Sequence, residues 1–267
     1  MRVVRLDELE AAEPRLPDAK RDRSRVEYYF TCGPAFLERT LTQLPRGECL
    51  SYVDADLYFF SSPEPLEREM QGHSIGVVEH RFSRRNAALL AVGRFNVGWL
   101  SFRHDASGLA CVRWWKERCL EWCADRIEGE RYADQKYLDR WPDLFDGVRV
   151  IRHPGANVAP WNADHLGVHV KEDRLFVDDE PLIFYHFQGL TQHGPWLFDL
   201  NVERFGARCH GALRRSVYLP YLRTVLTLSG GVILTGIREP APPLSVRTLK
   251  KAFWNGGYAL NLAGALW

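Results

Sequence analysis

The sequence lacks a charge excess, a cysteine pair of zinc-binding spacing and an apolar run of membrane length. Its 35 basic and 34 acidic residues leave a net charge of +1, which argues against general electrostatic binding to nucleic acid. None of its 6 cysteines stands in a Cys-x2-Cys zinc pair. The longest uncharged run near the C-terminus, residues 224–237, is shorter than the roughly 20 residues that span a bilayer. Residues 1–6 are too short for a secretory apolar segment, so we expect a cytoplasmic protein.

What is present is an ordinary globular composition. The chain has 267 residues and is 46% apolar, enough for one large domain or one domain with an appendage. Apolar runs typical of strands alternate with segments of helical spacing, which favours an α/β fold with a mostly parallel central sheet. After residue 200 the pattern changes and becomes helical. We therefore predict one domain over residues 1–200 and a mainly helical C-terminal extension over residues 201–267.

Residues 51–60 combine a strand pattern with two carboxylates. Asp54 and Asp56 stand among β-branched and aromatic residues, where an ionised carboxylate is costly unless a cation or a hydrogen-bond donor compensates it. Aspartate oxygens are hard ligands that suit Mg²⁺ or Mn²⁺. A strand end whose aspartates cap the next turn is the alternative, and the pair alone favours that alternative.

A histidine near the end of a later strand adds a third ligand. In an open α/β sheet, ligands bind beyond the carboxyl ends of the strands, and both Asp54 and His186 are expected there. A neutral imidazole completing a site begun by two carboxylates is suited to Mn²⁺. Taken alone, a histidine such as His186 is more often a core histidine with satisfied hydrogen bonds.

Five short motifs follow one another along the chain, and their order is more specific than any one of them. They are Tyr52–Asp56, Phe95–Gly98, Ala133–Gln135, Asn162 after an apolar loop, and His186–Gly189. This succession resembles the retaining glycosyltransferases of the GT-A fold, in particular the family-8-like group of glycogenin and the bacterial lipopolysaccharide glycosyltransferases. The resemblance covers roughly residues 1 to 195. It implies the three-layer fold of nucleotide-diphospho-sugar transferases.

The resemblance implies a metal and donor site. Asp54, Asp56 and His186 would hold Mn²⁺ or Mg²⁺, which bridges the diphosphate of a nucleotide-sugar donor, expected to be UDP-linked. Asn96 and Gly98 match the strand that meets the donor sugar and the acceptor. Glycine allows close approach of the backbone at that point, and a bulge in the strand is an equally good interpretation.

Further matches extend the implied donor site. Asp134 and Gln135 match the pair that faces the donor sugar and its anomeric centre, while an acid favoured by a helix N-terminus is the alternative for Asp134. Asn162, Gly189 and Arg94 are the other expected donor-binding residues.

The implied activity is transfer of a hexose, with retention, to a glycan or lipid-linked saccharide. Because the neutral amide of Gln135 is a poor nucleophile, we favour front-side attack by an acceptor hydroxyl, with the leaving phosphate as base.

Two departures from the family pattern keep other functions open. The chain begins at what resembles the family's second strand, and no lysine follows His186, so His193 or an arginine in residues 81–94 would supply that charge. A truncated, non-catalytic homologue that acts as a binding or regulatory partner is therefore the main alternative. A metal-dependent phosphohydrolase is a third interpretation, and it would need further acidic ligands.

Basic and aromatic residues near the C-terminus suggest a second contact. Residues 247–254 combine one arginine and two lysines with adjacent aromatic rings, as in segments that lie at a membrane surface. A terminal helix docked on the domain is the competing interpretation. The membrane interpretation would place the protein peripherally at the inner face of the membrane.

Overall fold

The structure is a computed structural model that describes residues 2–193, 197–229, 256–262 and 265–266. Its helices are α1 Leu6–Ala12, α2 Leu16–Arg21, α3 Arg25–Leu41, α4 Glu64–Glu69, α5 Ala106–Glu121, α6 Trp141–Leu144 and α7 Leu219–Leu228. Its strands are β1 Cys49–Val53, β2 Leu57–Phe59, β3 Ile75–Glu79, β4 Phe95–Arg103, β5 Val148–Ile151, β6 Val168–Lys171, β7 Arg174–Val177, β8 Glu180–Pro181, β9 Phe184–His186, β10 Thr191–His193, β11 Leu197–Asp199, β12 Tyr258–Leu262 and β13 Ala265–Leu266.

The chain divides into two compact units whose segments alternate along the sequence. Unit 1 comprises Met1–Asp54, Glu64–His80 and Ala88–Arg152, and unit 2 comprises Ala55–Pro63, Arg81–Ala87 and His153–Trp267. The domain boundary expected near residue 200 stays a prediction.

Unit 1 contains a four-stranded sheet in the order β1-β4-β3-β5. Strand β4 pairs antiparallel with both β1 and β3, while β3 and β5 are parallel. Since β1 and β3 both oppose β4, the strands β1, β3 and β5 run in one direction. The predicted α/β class is therefore confirmed, with three of the four strands of this sheet running in the same direction.

Helices cover both faces of this sheet. Helix α3 begins at a capping box, in which the Ser24 backbone N–H donates to the Glu27 carboxylate over 2.8 Å. One face of β3 and β4 forms a core with α3 and α5, built from side chains that include Leu37, Val77, Leu100, Val112 and Trp115. On the other face, Gly76 makes room for Trp99 and for Met70, the residue that follows α4.

A bulge interrupts β4 next to β3. Val77 pairs with Leu100, but the next residue, Val78, pairs with Asn96, so residues 97–99 of β4 are extra. Bulges of this kind bend a strand and turn its side chains to new directions. The bulge interpretation of the Asn96–Gly98 motif is therefore confirmed.

Unit 2 contains small antiparallel sheets around an aromatic core. Strand β2 pairs with β9, β6 with β7 and β7 with β8, and β10 to β13 form a sheet in sequence order. Tyr185, Phe187 and Tyr218 lie in the core with α7, and the Phe187 and Tyr221 rings stack with centroids 3.7 Å apart. Beyond residue 200 the described residues include a helical segment at 211–228 and the strands β12 and β13.

Two predictions concern the membrane. Among the residues that the structure describes, no helix is both long enough and apolar enough to cross a bilayer. The basic and aromatic segment 247–254 lies outside the described residues.

Candidate functional site

In unit 1, Asp54 directly follows β1 and lies beside the bulge of β4. Its backbone N–H donates to the Gly98 carbonyl over 2.9 Å, which extends the pairing of β1 with β4 by one residue. The Tyr52 hydroxyl donates to the Asp54 carboxylate over 2.7 Å. These two bonds hold the backbone and the carboxylate of Asp54 at the end of β1.

Asn96 is the centre of a buried amide cluster in unit 1. Its Oδ1 accepts from the Gly98 N–H over 3.1 Å, and its Nδ2 donates to Gln135 Oε1 over 3.2 Å. The Gln135 amide in turn donates to the Val92 carbonyl over 3.1 Å. Three residues that the resemblance groups into two separate motifs, Asn96, Gly98 and Gln135, are therefore joined by hydrogen bonds.

His80 belongs to the same cluster and is not among the site residues predicted from the sequence. Its Nε2 lies 3.3 Å from Asn96 Nδ2, and its Nδ1 lies 3.3 Å from the Arg94 carbonyl. Only 4% of His80 is exposed. The sequence signal that could have found it is its position one residue after β3, at the carboxyl end of a parallel strand. We call His80, Asn96, Gly98 and Gln135 the Asn96 cluster.

Asp134 is a buried acid next to that cluster in sequence. Burial, and then the charge of Asp54, raise the pKa of Asp134 to about 8, so its carboxyl group is mostly protonated at neutral pH. Its backbone carbonyl accepts from the Trp115 indole over 2.8 Å. Ala133 has a φ of 46°, a conformation that costs a residue other than glycine roughly 1 kcal/mol or more. Such strain next to a buried acid is common at functional sites.

In unit 2, Asp56 and His186 form a carboxylate–imidazole pair. Leu57 pairs with His186 across β2 and β9, and the Phe187 N–H donates to the Asp56 carbonyl over 2.9 Å. This register brings His186 Nε2 to 3.1 Å from Asp56 Oδ1. Burial works to raise the pKa of Asp56, but the charge and hydrogen bond of His186 outweigh it and lower that pKa. The pair is therefore most stable with Asp56 ionised.

The loop before β6 supports His186. The His186 N–H donates to the Val158 carbonyl over 2.8 Å, and the Trp161 ring meets the His186 ring edge-on at 5.3 Å. Asn162, expected to bind the donor, is fully buried, and its side chain bonds the Ala159 N–H and the Asn157 carbonyl of this loop. In the structure, Trp161 and Asn162 thus pack and order the loop.

Arg81 also bonds that loop. Its guanidinium donates to the Pro154 carbonyl over 2.8 Å and to the Ala156 carbonyl. Arg85, from the same basic segment, donates to the Gly206 carbonyl. Two of the arginines considered for phosphate contact therefore bond backbone carbonyls within unit 2.

The side chains or backbone of the remaining predicted residues have other contacts within their own units. Gly189 has a φ of 74°, and a Cβ there would come within 2.3 Å of Asn201 Nδ2. Arg94 is exposed at the surface of unit 1, where its guanidinium pairs with Glu79 at 2.5 Å. His193 lies in β10, with its ring centroid 6.5 Å from that of Tyr258. These contacts give each residue a structural role, and their donor-binding roles stay predictions.

A metal ion would find suitable ligands in the carboxylate and imidazole groups. The 3.1 Å between His186 Nε2 and Asp56 Oδ1 matches the separation, about 3 Å, of two neighbouring ligands around an octahedral ion. Only Ala55 separates Asp54 from Asp56 in the sequence. Within the described part of the chain, Asp54, Asp56 and His186 are the group of side chains that could hold a metal ion.

The fold and these side chains define an α/β protein with carboxylate and imidazole groups able to bind a metal ion. No family model matches the chain. It is 37% identical over 228 residues to the uncharacterized protein YfnD of Bacillus subtilis (strain 168), which covers 82% of this chain and 70% of that relative. The chain belongs to the family of YfnD.

Two further similarities were found. The uncharacterized protein YfnF of Bacillus subtilis (strain 168) is 37% identical over 178 residues, covering 64% of this chain and 59% of YfnF. Among solved structures, the galactosyltransferase LgtC in complex with donor and acceptor sugar analogues is 17% identical, with a TM-score of 0.39. That similarity covers 64% of this chain and 63% of LgtC.

Proposed function

We propose that this protein is a metal-dependent glycosyltransferase. It moves a hexose from a nucleotide-diphosphate sugar, UDP-linked in this proposal, to a glycan or lipid-linked saccharide with retention. The observation that carries the proposal is the pair formed by Asp56 and the buried His186, 3.1 Å apart, with Asp54 two positions before Asp56.

Asp54, Asp56 and His186 would hold Mn²⁺ or Mg²⁺ in this proposal. When bound, the ion neutralises the negative charge that grows on the diphosphate as the nucleotide leaves. The lowered pKa of Asp56 keeps its carboxylate ionised and ready to bind a cation. The backbone bond from His186 to Val158 keeps the imidazole at the end of β9.

The unit 1 residues would bind and orient the donor sugar. The Gln135 amide faces the anomeric centre, and the Asn96 hydrogen bond prevents that amide from rotating. Asp134 accepts or donates to sugar hydroxyls, which suits a carboxyl group whose pKa is raised to about 8. Gly98 lets the backbone approach the sugar and the acceptor.

The attacking group would be a hydroxyl of the acceptor on the same face as the leaving diphosphate. The C–O bond to the diphosphate breaks while the bond to the acceptor oxygen forms, and the hydroxyl proton passes to a leaving phosphate oxygen. Asn162, Gly189 and Arg94 complete the proposed donor contacts. In this proposal the protein works in the cytoplasm, peripherally at the inner face of the membrane.

A transfer assay with Mn²⁺ and UDP-hexoses tests the proposal. We expect the wild-type protein to release UDP, and the Asp54→Ala/Asp56→Ala double variant to lose that activity by more than about 100-fold, because ligand loss exceeds the effect of losing an outer partner. The exposed Asp179→Asn variant of unit 2 serves as the control and should keep wild-type activity.

Calorimetry separates the enzyme from a non-catalytic homologue. Binding of UDP that requires Mn²⁺ and is abolished in the double variant supports the site whether or not turnover is seen. Equal turnover in the wild type and the double variant would exclude a metal-dependent transferase. Mn²⁺-dependent binding of UDP without turnover of any UDP-hexose would favour the binding-partner alternative.

A further inference from the structure

The direction of each hydrogen bond in the Asn96 cluster follows from donors that can only donate. The Gly98 backbone N–H points at one end of the Asn96 amide at 3.1 Å, so that end is the oxygen. The other end is therefore Nδ2, which carries two hydrogens and cannot accept. The backbone N–H of Gly98 thus determines which end of the Asn96 amide is the oxygen.

The two hydrogens of Asn96 Nδ2 have two acceptors. One is Gln135 Oε1 at 3.2 Å, and the other is His80 Nε2 at 3.3 Å. Since the amide nitrogen must donate, His80 Nε2 must be the unprotonated nitrogen of the ring. The other ring nitrogen, Nδ1, faces the Arg94 carbonyl, which can only accept, and so Nδ1 carries the hydrogen. His80 is therefore a neutral imidazole protonated at Nδ1.

The orientation of the Gln135 amide is determined in the same way. Its Nε2 donates to the Val92 carbonyl over 3.1 Å, so Oε1 is the end directed at Asn96. The order of donors and acceptors runs without conflict from Gly98 through Asn96 to Gln135 and His80. Reversal of any one amide would place two donors or two acceptors against each other, which is unfavourable for buried groups.

We propose that His80 is a positioning residue that, as the Nδ1-protonated imidazole, orients the Asn96 amide and through it the amide of Gln135. His80 acts by accepting a hydrogen bond, and it need not touch the substrate. The inference rests on the proposed function for the role of Gln135 at the donor sugar. The assignment of the tautomer rests on the hydrogen bonds of His80 with Asn96 and Arg94.

Nitrogen NMR tests the tautomer on the full chain. With ¹⁵N-labelled histidine, the His80 ring should show the signature of a protonated Nδ1 and a bare Nε2 at neutral pH, without substrate. The His80→Gln variant identifies the signal by its loss. A protonated Nε2, or a doubly protonated ring, would overturn the proposal, whether or not the protein transfers a sugar.

Two variants test the positioning role. In His80→Gln the new amide can accept from Asn96 and donate to the Arg94 carbonyl, whereas His80→Met has a similar volume and accepts poorly. We expect His80→Gln to keep most of the wild-type kcat and His80→Met to lower kcat at least about tenfold, with little change in KM for the donor, since one hydrogen bond is worth that much. His73→Met, a partly exposed histidine of unit 1, is the control.

The outcomes distinguish the two proposals. Loss of activity in both His80 variants, with unchanged thermal unfolding, would overturn the accepting role of His80. Equal kcat in both variants and the wild type would also overturn it. If His80→Met fails to fold, the NMR signature and the kcat of His80→Gln still decide. If the wild-type protein shows no transfer, the proposed function fails, and the tautomer stands or fails by NMR.

Discussion

The Asn96 cluster of unit 1 and the Asp56–His186 pair of unit 2 differ in the kind of interaction that joins their side chains. The cluster is built from neutral amides, an imidazole and backbone groups, with bonds of 3.1–3.3 Å that orient one another. The pair joins an ionised carboxylate to an imidazole, and the charge and hydrogen bond of His186 lower the pKa of Asp56. A neutral network determines orientation, while a charged pair provides affinity for a cation or another charged group.

The supports of these two regions differ in the same way. In unit 1 the Asn96 cluster lies at a bulge, where the strand ladder no longer holds the backbone, so side chains take over that role. In unit 2 the β2–β9 ladder and the Val158 carbonyl hold the pair through the backbone. Side-chain changes should therefore disturb orientation in unit 1 and ligand affinity in unit 2. Four experiments test this difference.

The largest effect is expected for His186→Ala, which removes the imidazole but leaves the β9 backbone in place. We expect affinity for Mn²⁺ to fall by more than about 100-fold, because loss of a ligand exceeds the 10- to 100-fold effect of losing an outer partner. Calorimetric titration of Mn²⁺ measures this change. The exposed His169→Ala variant of the same unit should bind as the wild type does. Unchanged affinity in His186→Ala would remove the distinction between the regions.

Asn96→Asp should lower stability next most, because it puts a carboxylate where Nδ2 donates to two acceptors. With only 6% of Asn96 exposed, we expect the free energy of unfolding to fall by about 3 kcal/mol. Urea denaturation measures it. Gln71→Glu makes the same amide-to-carboxylate change at an exposed position of unit 1 and should change stability by less than about 0.5 kcal/mol. Equal effects at both positions would contradict the oriented network.

Gly189→Ala tests the backbone support in unit 2. The residue has a φ of 74°, and the added Cβ would meet Asn201 Nδ2 at 2.3 Å, so we expect a loss of about 2 kcal/mol. Gly211→Ala is the matched control, since its φ is 54° but nothing lies within 4 Å of the added Cβ. The difference between the two melting curves measures the contact with Asn201. Identical losses would mean that backbone conformation alone requires glycine.

The smallest effect is expected for the ion pair of Glu13 and Arg15, which follows helix α1 in unit 1. Hydrogen bonds from Arg15 and Lys116 lower the pKa of Glu13 to about 2, because together they outweigh burial, which raises that pKa. Because the folded-state pKa is below the unfolded one, this stabilisation is present above about pH 4.5 and is lost as pH falls through about 2.

Glu13→Gln should therefore lower stability by about 1 kcal/mol at pH 7, because Arg15 is half exposed and solvent weakens the pair. The difference from wild type should shrink as the pH falls from 4.5 towards 2, as measured by urea denaturation at several pH values. Glu64→Gln, in an exposed pair with Arg68, should show little effect at any of these pH values. A difference that grows on acidification would contradict the sign of the pKa shift.

Several parts of the molecule could be predicted from the sequence because their signals are local. Strand and helix patterns gave the α/β class, since burial of one face imposes a period that the residues themselves display. The aspartates at the end of β1 and the histidine at the end of β9 could be chosen because charged or titratable groups in apolar runs are unusual. The resemblance predicts donor-binding roles for Asn162 and Gly189. In the structure the Asn162 side chain accepts from the Ala159 N–H, and Asn201 leaves no room for a Cβ at Gly189.

The sequence by itself determined which side chains are available: two aspartates separated by one residue, a histidine at the end of an apolar strand, and the Asn96 and Gln135 amides. Only the tertiary structure decided how they are used. Asn96 meets His80 across 16 residues of chain and Gln135 across 39, through a shifted register between β3 and β4. Hydrogen-bond direction depends on atoms brought together by that register, and no local pattern in the chain encodes it. The stretch from Asp54 to Asp56 could be recognised in the sequence, whereas the orientation of the His80 imidazole beside Asn96 could not.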